Sequence, residues 1–465
     1  MANAPVAPFK PTLILHGGAG ALARSHLPPE LYARYRHSLL IYLTDTRALL
    51  DQGATALDAA VHAVSRMEDD ELFNCGRGSV FNLAGEIEME ASVMVASVRP
   101  EAYGDCEGGG GPAMGGFKKR AAAVSLLRRT RHPIQLAREV LLEGDGEGAG
   151  VSGMHCHLSG REVEEWGWSR GLEKKGKEWF WTRRRWEEHK RELGHGHVMT
   201  SSFGMGDLDG MILPSQGTVG AVCLDRYGNV AVTTSTGGLT NKKPGRIGDT
   251  PTVGAGFWAE SFAESAHEAS GDTQSSSWTN AIGQAKAQLF DIFADCLGPA
   301  FAGTSLPTYH RLPGDPQTSE YRSNLLISAT SRSHVYTGSL AEPSSQPRSH
   351  RAVALSGTGN GDSFLRTSAA RSVGARCRYS SSPEPLSKAV SAVAGPGGEL
   401  QQSAGTRFGR TGEGEGGIIG IEVGASGAAE VVFDFNCLGM WRAWYEKNRD
   451  GKEVPKVMVF REEYQ

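Results

Sequence analysis

The chain has no CxxC pair, no Asn-x-Ser/Thr sequon, and no apolar run approaching the ~18 residues that span a bilayer. Its seven cysteines (75, 106, 156, 223, 296, 377, 437) are scattered and odd in number, which supports neither a disulfide framework nor a zinc knuckle. Charge is also nearly balanced, with Lys+Arg 48 against Asp+Glu 52 and a formal net charge of −4. Such a balance provides no global attraction to nucleic acid or to anionic lipid. The opening MANAPVAPFKPTLILHGGAG lacks the long apolar stretch of a signal peptide, and its TLIL run reads as a buried strand. Gly17-Gly18-Ala19-Gly20 does not fit GxGxxG, and no P-loop occurs, so a nucleotide enzyme is not supported. The expectation is a reduced, cytoplasmic protein with neither a nucleic-acid nor a membrane partner.

What the chain does have is glycine: 61 among 465 residues, nearly twice the usual share of about 7%. With 39% hydrophobic and 22% charged residues it is an ordinary globular sequence, long enough for a sizeable core. Strand character at 12–15 runs into His16–Gly20. Helical sequence follows over about 28–50, and a second helix begins after the Thr55/Asp58 capping pattern. Residues 87–98 and 121–127 read as strands, 133–142 as helix, and 108–116 as a glycine-rich tract. Residues 161–192 hold five of the nine tryptophans but only two more basic than acidic side chains. That reads as a solvated helical excursion with an apolar stripe rather than a single-strand binding surface.

From Gly217 onward the pattern turns to β. Two hairpins are expected, 218–224 with 230–236 and 418–423 with 430–435. Residues 260–350, rich in Ser, Pro and Thr with one helical stretch at 279–297, and residues 379–416, rich in Ser, Gly and Pro, read as surface insertions. With the turn centred on Tyr227, the first hairpin sets Thr218 opposite Thr236, where Cβ atoms lie ~4.5–5.5 Å apart. A bulge would shift this pairing by one residue, and opposed threonines are also common ladder contacts. Just past the strand end come Arg246, which suits a bidentate grip on a carboxylate, and Asp249, which suits an ammonium. Together they fit the zwitterionic end of an amino acid, and an exposed salt bridge is the plainer alternative.

Gly217-Thr218-Val219-Gly220-Ala221-Val222, the run from Thr234 to Asp249, and Gly357-Thr358-Gly359-Asn360-Gly361-Asp362 resemble signatures of the plant-type asparaginases, or isoaspartyl peptidases. His16–Gly20, Phe73–Ser79, Glu88–Ser92 and Phe435–Met440 match too, in family order. The resemblance implies an α+β fold, the αββα sandwich of N-terminal-nucleophile hydrolases, with two stacked antiparallel sheets flanked by helices. It implies self-cleavage between Gly217 and Thr218, giving an α chain of residues 1–217 and a β chain of residues 218–465 that share one domain. Thr218 then matches the nucleophile and Thr236 its hydroxyl neighbour. Thr358 and Gly359 match the oxyanion donors, and Asn74 a supporting polar residue. Arg246 and Asp249 match the substrate clamp, with Gly361 as a backbone contact. A structural sodium is implied on the carbonyls of Met67, Glu68, Asp70, Phe73, Cys75 and Arg77, with no catalytic cofactor. Substrates would be L-asparagine and β-aspartyl dipeptides, and two-chain units would pair as an (αβ)₂ dimer. Departures from the family pattern are Asp362 where Glu is usual and Val95-Ala96-Ser97 where an Asp-Gly turn is usual.

His155-Cys156-His157 and His195-Gly196-His197 resemble fragments of a metal site, but without a third cluster they read as surface loops. Cys223, flanked by Val222 and Leu224, reads as packing. The alternative to an enzyme is an unprocessed, inactive family member that serves as a binding or scaffold protein.

Overall fold

Strand β1 (Thr12–Gly20) carries the expected TLIL strand on through the glycines of His16–Gly20, and it is an inner strand of the larger of two sheets. The computed structural model describes residues 9–99, 120–143, 152–194, 217–263, 350–380, 384–424 and 426–464. All of these belong to one unit, Met1–Glu264 with Arg348–Gln465, and the second unit, Ser265–Pro347, lies outside the described residues. So do the tract at 108–116, the helical stretch expected at 279–297, and His195–His197.

Helix α1 (Pro29–Asp51) starts with proline at its first position, where the missing N–H costs nothing. Helix α2 (Ala56–Glu68) is capped as expected. The Thr55 hydroxyl oxygen accepts the Asp58 N–H at 3.1 Å, and its proton goes to Asp58 Oδ2 at 2.8 Å. Strands β2 (Met89–Ser97) and β3 (Ala121–Leu127) precede α3 (Pro133–Glu143). A three-residue strand β4 (His157–Ser159) is followed by α4 (Gly160–Ser169), α5 (Lys177–Phe180) and α6 (Arg183–Gly194). Then come β5 (Val219–Leu224), β6 (Asn229–Thr236), β7 (Phe257–Ala263) and β8 (His350–Gly359). Helices α7 (Gly361–Thr367), α8 (Ala369–Tyr379), α9 (Leu386–Ala394) and α10 (Glu399–Ala404) lead to β9 (Gly416–Val423), β10 (Ala429–Phe435), β11 (Gly439–Lys447) and β12 (Glu453–Met458).

The eight-stranded sheet has the order β12-β11-β1-β5-β6-β2-β3-β4, and the four-stranded sheet β10-β9-β8-β7. All pairs are antiparallel except β3 with β4, a short parallel edge the sequence did not foretell. Alternation along β5 decides which face each residue serves. Val219, Ala221 and Cys223 turn toward α1, α2 and α3, while Val222 and Leu224 turn toward the second sheet. There they meet Phe257, Ala354, Ile419 and Ile421, and this inter-sheet layer is fully buried. On the far side of the smaller sheet, Val353 and Ile418 pack under Val373, Leu386, Val390 and Val393 of α8 and α9. The order helix, sheet, sheet, helix is the αββα sandwich.

One expectation fails here. Residues 386–404, read as part of a surface insertion, form α9 and α10, and Leu386, Ala389, Val390, Val393, Ala394 and Leu400 are buried core. Their spacing is helical, but small residues carry so much of that face that composition masks it.

Candidate active site

The first hairpin folds on its turn chemistry. Asp225 Oδ1 accepts the N–H groups of Tyr227 and Asn229, and Gly228 takes the positive φ of +90° that the turn requires. The register follows: Val219 faces Ser235 and Gly220 faces Thr234, which carries Thr218 to the level of Thr236, as expected. Both threonines are buried. Their hydroxyls, however, are not partners. Thr218 Oγ1 lies 2.8 Å from Thr250 Oγ1, and Thr236 Oγ1 instead accepts the Gly238 N–H at 3.0 Å. Thr250 was missed by sequence reasoning.

Strand β8 brings Thr358 and Gly359 to the same place. A Cβ built on Gly217 would stand 2.7 Å from Thr358 Oγ1 and 2.9 Å from the Gly359 nitrogen, so the residue before Thr218 must be bare. The Thr358 oxygen accepts the Ala19 N–H at 3.2 Å, which leaves its own proton to donate elsewhere. Asn74 ties the loop after α2 to the loop after β6. Its Nδ2 donates to Gly238 O at 2.8 Å, and its Oδ1 accepts the Val80 N–H at 3.1 Å.

Arg246, Asp249 and Gly361 also converge. A Cβ on Gly361 would strike Asp249 Oδ1 and stand 2.9 Å from Arg246 Nη2. Arg246 pairs with Asp362 at 3.1 Å. Asp249 is buried, and its Oδ2 meets no donor among the described residues. Burial pushes its carboxyl up to about 7 against the pull of Arg246. Beneath Arg246 and Asp249, buried Glu90 accepts the Gly248 N–H at 2.9 Å and fixes the turn between them. Lys242 donates to Glu88 O at 2.7 Å, and its burial lowers the ammonium's pKa.

A family model described as Asparaginase matches residues 9–100 and 112–273, more than half of the chain. The chain belongs to the asparaginase family. It is 34% identical over 250 residues to an isoaspartyl peptidase of Salmonella typhimurium, covering 54% of this chain and 70% of that one. An isoaspartyl peptidase of Escherichia coli is also 34% identical over 250 residues (54% and 68%), and an isoaspartyl peptidase/L-asparaginase of Xenopus laevis is 34% identical over 255 residues (54% and 67%). Membership makes the chain an amidohydrolase with the N-terminal-nucleophile hydrolase fold. The asparaginase match ends before Thr358, and it is the fold that brings β8 to Gly217.

In this chain the segment 161–192 is more than a solvated excursion. Arg185 is wholly buried, donates from Nε to Gly78 O at 2.8 Å, and pairs with Glu188 at 2.9 Å. Glu188 in turn accepts the Thr240 hydroxyl at 2.8 Å, so α6 grips both loops that frame the site. Beneath β5, His16 Nε2 meets Ser356 Oγ at 2.7 Å in space that exists because Gly220 has no side chain. Burial lowers the His16 pKa to about 3, so the imidazole is neutral. Cys223 is buried packing, as expected. Among the described residues no three His, Cys, Asp or Glu side chains form a metal cluster, and His157 hydrogen-bonds Ser125 at 3.0 Å. Nor is any described helix long and apolar enough to cross a membrane.

Proposed function

We propose that the chain is a self-processing threonine amidohydrolase that converts L-asparagine to L-aspartate and ammonia and cleaves β-aspartyl peptides. The observation that carries this reading is the packing of Gly217 against the Thr358 hydroxyl and the Gly359 N–H, one residue before the buried Thr218 hydroxyl. Attack of Thr218 Oγ1 on the Gly217 carbonyl would put the developing oxyanion beside those two donors. The C–N bond then breaks, the amide nitrogen takes a proton, and water hydrolyses the resulting ester.

Cleavage frees the Thr218 amine, whose ordinary pKa of ~7.7–8.0 suits a general base at neutral pH. That amine takes the hydroxyl proton as Oγ1 attacks the side-chain amide of asparagine or the β-linked peptide bond. Ammonia or the leaving amine departs with a proton, and water releases aspartate. The substrate's α-carboxylate suits Arg246. Its ammonium suits the unpartnered Asp249 Oδ2, with the bare Cα of Gly361 leaving room between them.

The same reading includes a structural sodium on the carbonyls of Met67, Glu68, Asp70, Phe73, Cys75 and Arg77. The loop fits such an ion: Gly76 has φ +48°, and a Cβ there would strike the Glu68 carbonyl, so this loop closes on its own main-chain oxygens. The ion would stiffen the turn that presents Asn74. The reading also includes pairing of two-chain units as an (αβ)₂ dimer and a cytoplasmic location, in keeping with the free thiols of Cys75, Cys156, Cys223, Cys377 and Cys437.

The test is the intact mass of purified protein over several days beside Thr218→Ala, with assays on L-asparagine and β-aspartyl dipeptides. Fragments meeting at Gly217/Thr218 in the wild type alone, and activity that appears with them, are expected. A wild type that stays whole and inert would favour the scaffold reading.

A further inference from the structure

We propose that Thr250 is a further catalytic residue, the one that orients the Thr218 hydroxyl in both self-cleavage and substrate turnover. The proposal rests on the reading of Thr218 as nucleophile.

The geometry starts at the 2.8 Å contact between the two hydroxyl oxygens. Threonine is β-branched, so at Thr218 the hydroxyl and the methyl compete for the same staggered positions. Something must decide which of the two faces the reacting carbonyl, and a buried hydroxyl partner does so. Thr250 is itself wholly buried, so an unmatched oxygen at either residue would be costly.

Thr250 lies in a turn and is held from two strands. Ser92 of β2 donates to the Thr250 carbonyl at 2.6 Å, and Thr234 of β6 lies 2.6 Å from Ser92 Oγ and 3.3 Å from the same carbonyl. One proton assignment satisfies the chain: Thr234 donates to Ser92, and Ser92 donates to Thr250 O. All three are buried, so no water competes for these bonds. Ser92 and Thr234 are thus positioning residues that act through Thr250.

The direction of the Thr218–Thr250 bond follows from the chemistry. In the processed enzyme the Thr218 proton goes to the terminal amine, so Thr250 must be the donor to Thr218 Oγ1. A fixed donor there stabilises the negative charge that builds on Oγ1 as its proton leaves. In the uncut chain, where no free amine exists, the same donor holds Oγ1 in place before Gly217 is attacked. Thr250 also follows Asp249 directly, so the group suited to the substrate's ammonium and the group that aims the nucleophile share one peptide bond.

Thr250→Val keeps the shape and removes the hydroxyl; Thr250→Ser keeps the hydroxyl. The valine variant is expected to slow self-cleavage, followed by intact mass, and to lower kcat of the processed fraction, each by roughly tenfold to a hundredfold, with KM within about twofold. The serine variant should recover most of both. Ser92→Ala, which leaves Thr250 intact but unties it, should give a smaller loss in the same two readouts. Normal cleavage and kcat in Thr250→Val would overturn the proposal, as would a serine variant as impaired as the valine one, since the methyl would then be what matters. Wild-type cleavage at Gly217/Thr218 and turnover, measured alongside, test the functional reading separately. A wild type that cuts and turns over beside an unaffected Thr250→Val would refute this inference alone.

Discussion

The main-chain amide of Ala19 donates to the hydroxyl oxygen of Thr358 across 3.2 Å, from a strand at one end of the chain to a strand 339 residues later. The bond occupies a lone pair at Thr358 and leaves its proton aimed elsewhere, against a glycine whose Cα has no room for a substituent. Gly217→Ala is therefore expected to push Thr358 and Gly359 away from the Gly217–Thr218 bond, the proposed cleavage site. Self-cleavage should slow by at least about tenfold, the equivalent of ~1.4 kcal/mol of barrier, while the fold is retained. Intact mass against time, with circular dichroism as the folding control, gives the answer. An alanine variant that cuts at the wild-type rate would show that this packing is incidental.

Asp249 sets a pH dependence of known sign. Burial lifts its carboxyl from 3.8 to about 7, so below pH 7 the substrate-free site loses the charge that suits an ammonium. KM for L-asparagine should rise as pH falls from 8 to 6. For stability, the folded state keeps a proton that the unfolded chain releases above its own pKa. The folded state is therefore favoured below about pH 4 and loses that advantage as pH rises to about 7, by on the order of 4 kcal/mol in all. Relative to wild type, Asp249→Asn should melt higher at pH 8 and show no such gain at pH 4, and it should bind substrate poorly. An Asn variant that gains nothing at pH 8 would place the wild-type carboxyl in an ordinary, solvated state.

Arg185 predicts a coupling rather than a simple loss. Arg185→Met leaves Glu188 buried without its partner and frees Gly78, which should cost roughly 3–5 kcal/mol. Adding Glu188→Gln removes the stranded charge and should recover part of the loss. Thermal unfolding of both variants tests this, and additive losses would mean the two side chains act independently.

How far the sequence reaches is seen by comparing neighbours in the site. The Thr218 hairpin was legible because Asp225 and Gly228 dictate its turn locally, and the register then carries Thr218 to Thr236. Thr55 announced its helix for the same reason. Arg246 and Asp249 stood out as charges past a strand end. Thr250, Ser92 and Arg185 did not, because each is defined by a partner far along the chain: Thr250 sits 32 residues from Thr218 and Arg185 lies 107 from Gly78. Nothing periodic marks such pairs.

Helix α9 shows the opposite failure, a local pattern overruled by composition. Val390 is fully buried beneath the second sheet. Val390→Asp should destabilise the protein by more than about 3 kcal/mol, or prevent its soluble expression. A surface insertion would accept the change, and a variant with wild-type melting would restore that reading.

The order of strands in the larger sheet has a consequence for lifetime. β1 lies between β11 and β5, and β2 lies beside β6, so a cut at Gly217/Thr218 yields two interleaved polypeptides rather than two halves side by side. Separating them would mean tearing three hydrogen-bonded seams at once, β11 with β1, β1 with β5, and β6 with β2. Folding would be unimolecular only before the cut. Afterwards a melted molecule must find its complement by diffusion, with bare strand edges exposed to every other chain. The cut would thus act as a ratchet: durability would rest on how slowly the sheet opens, and each molecule would have a single chance to fold.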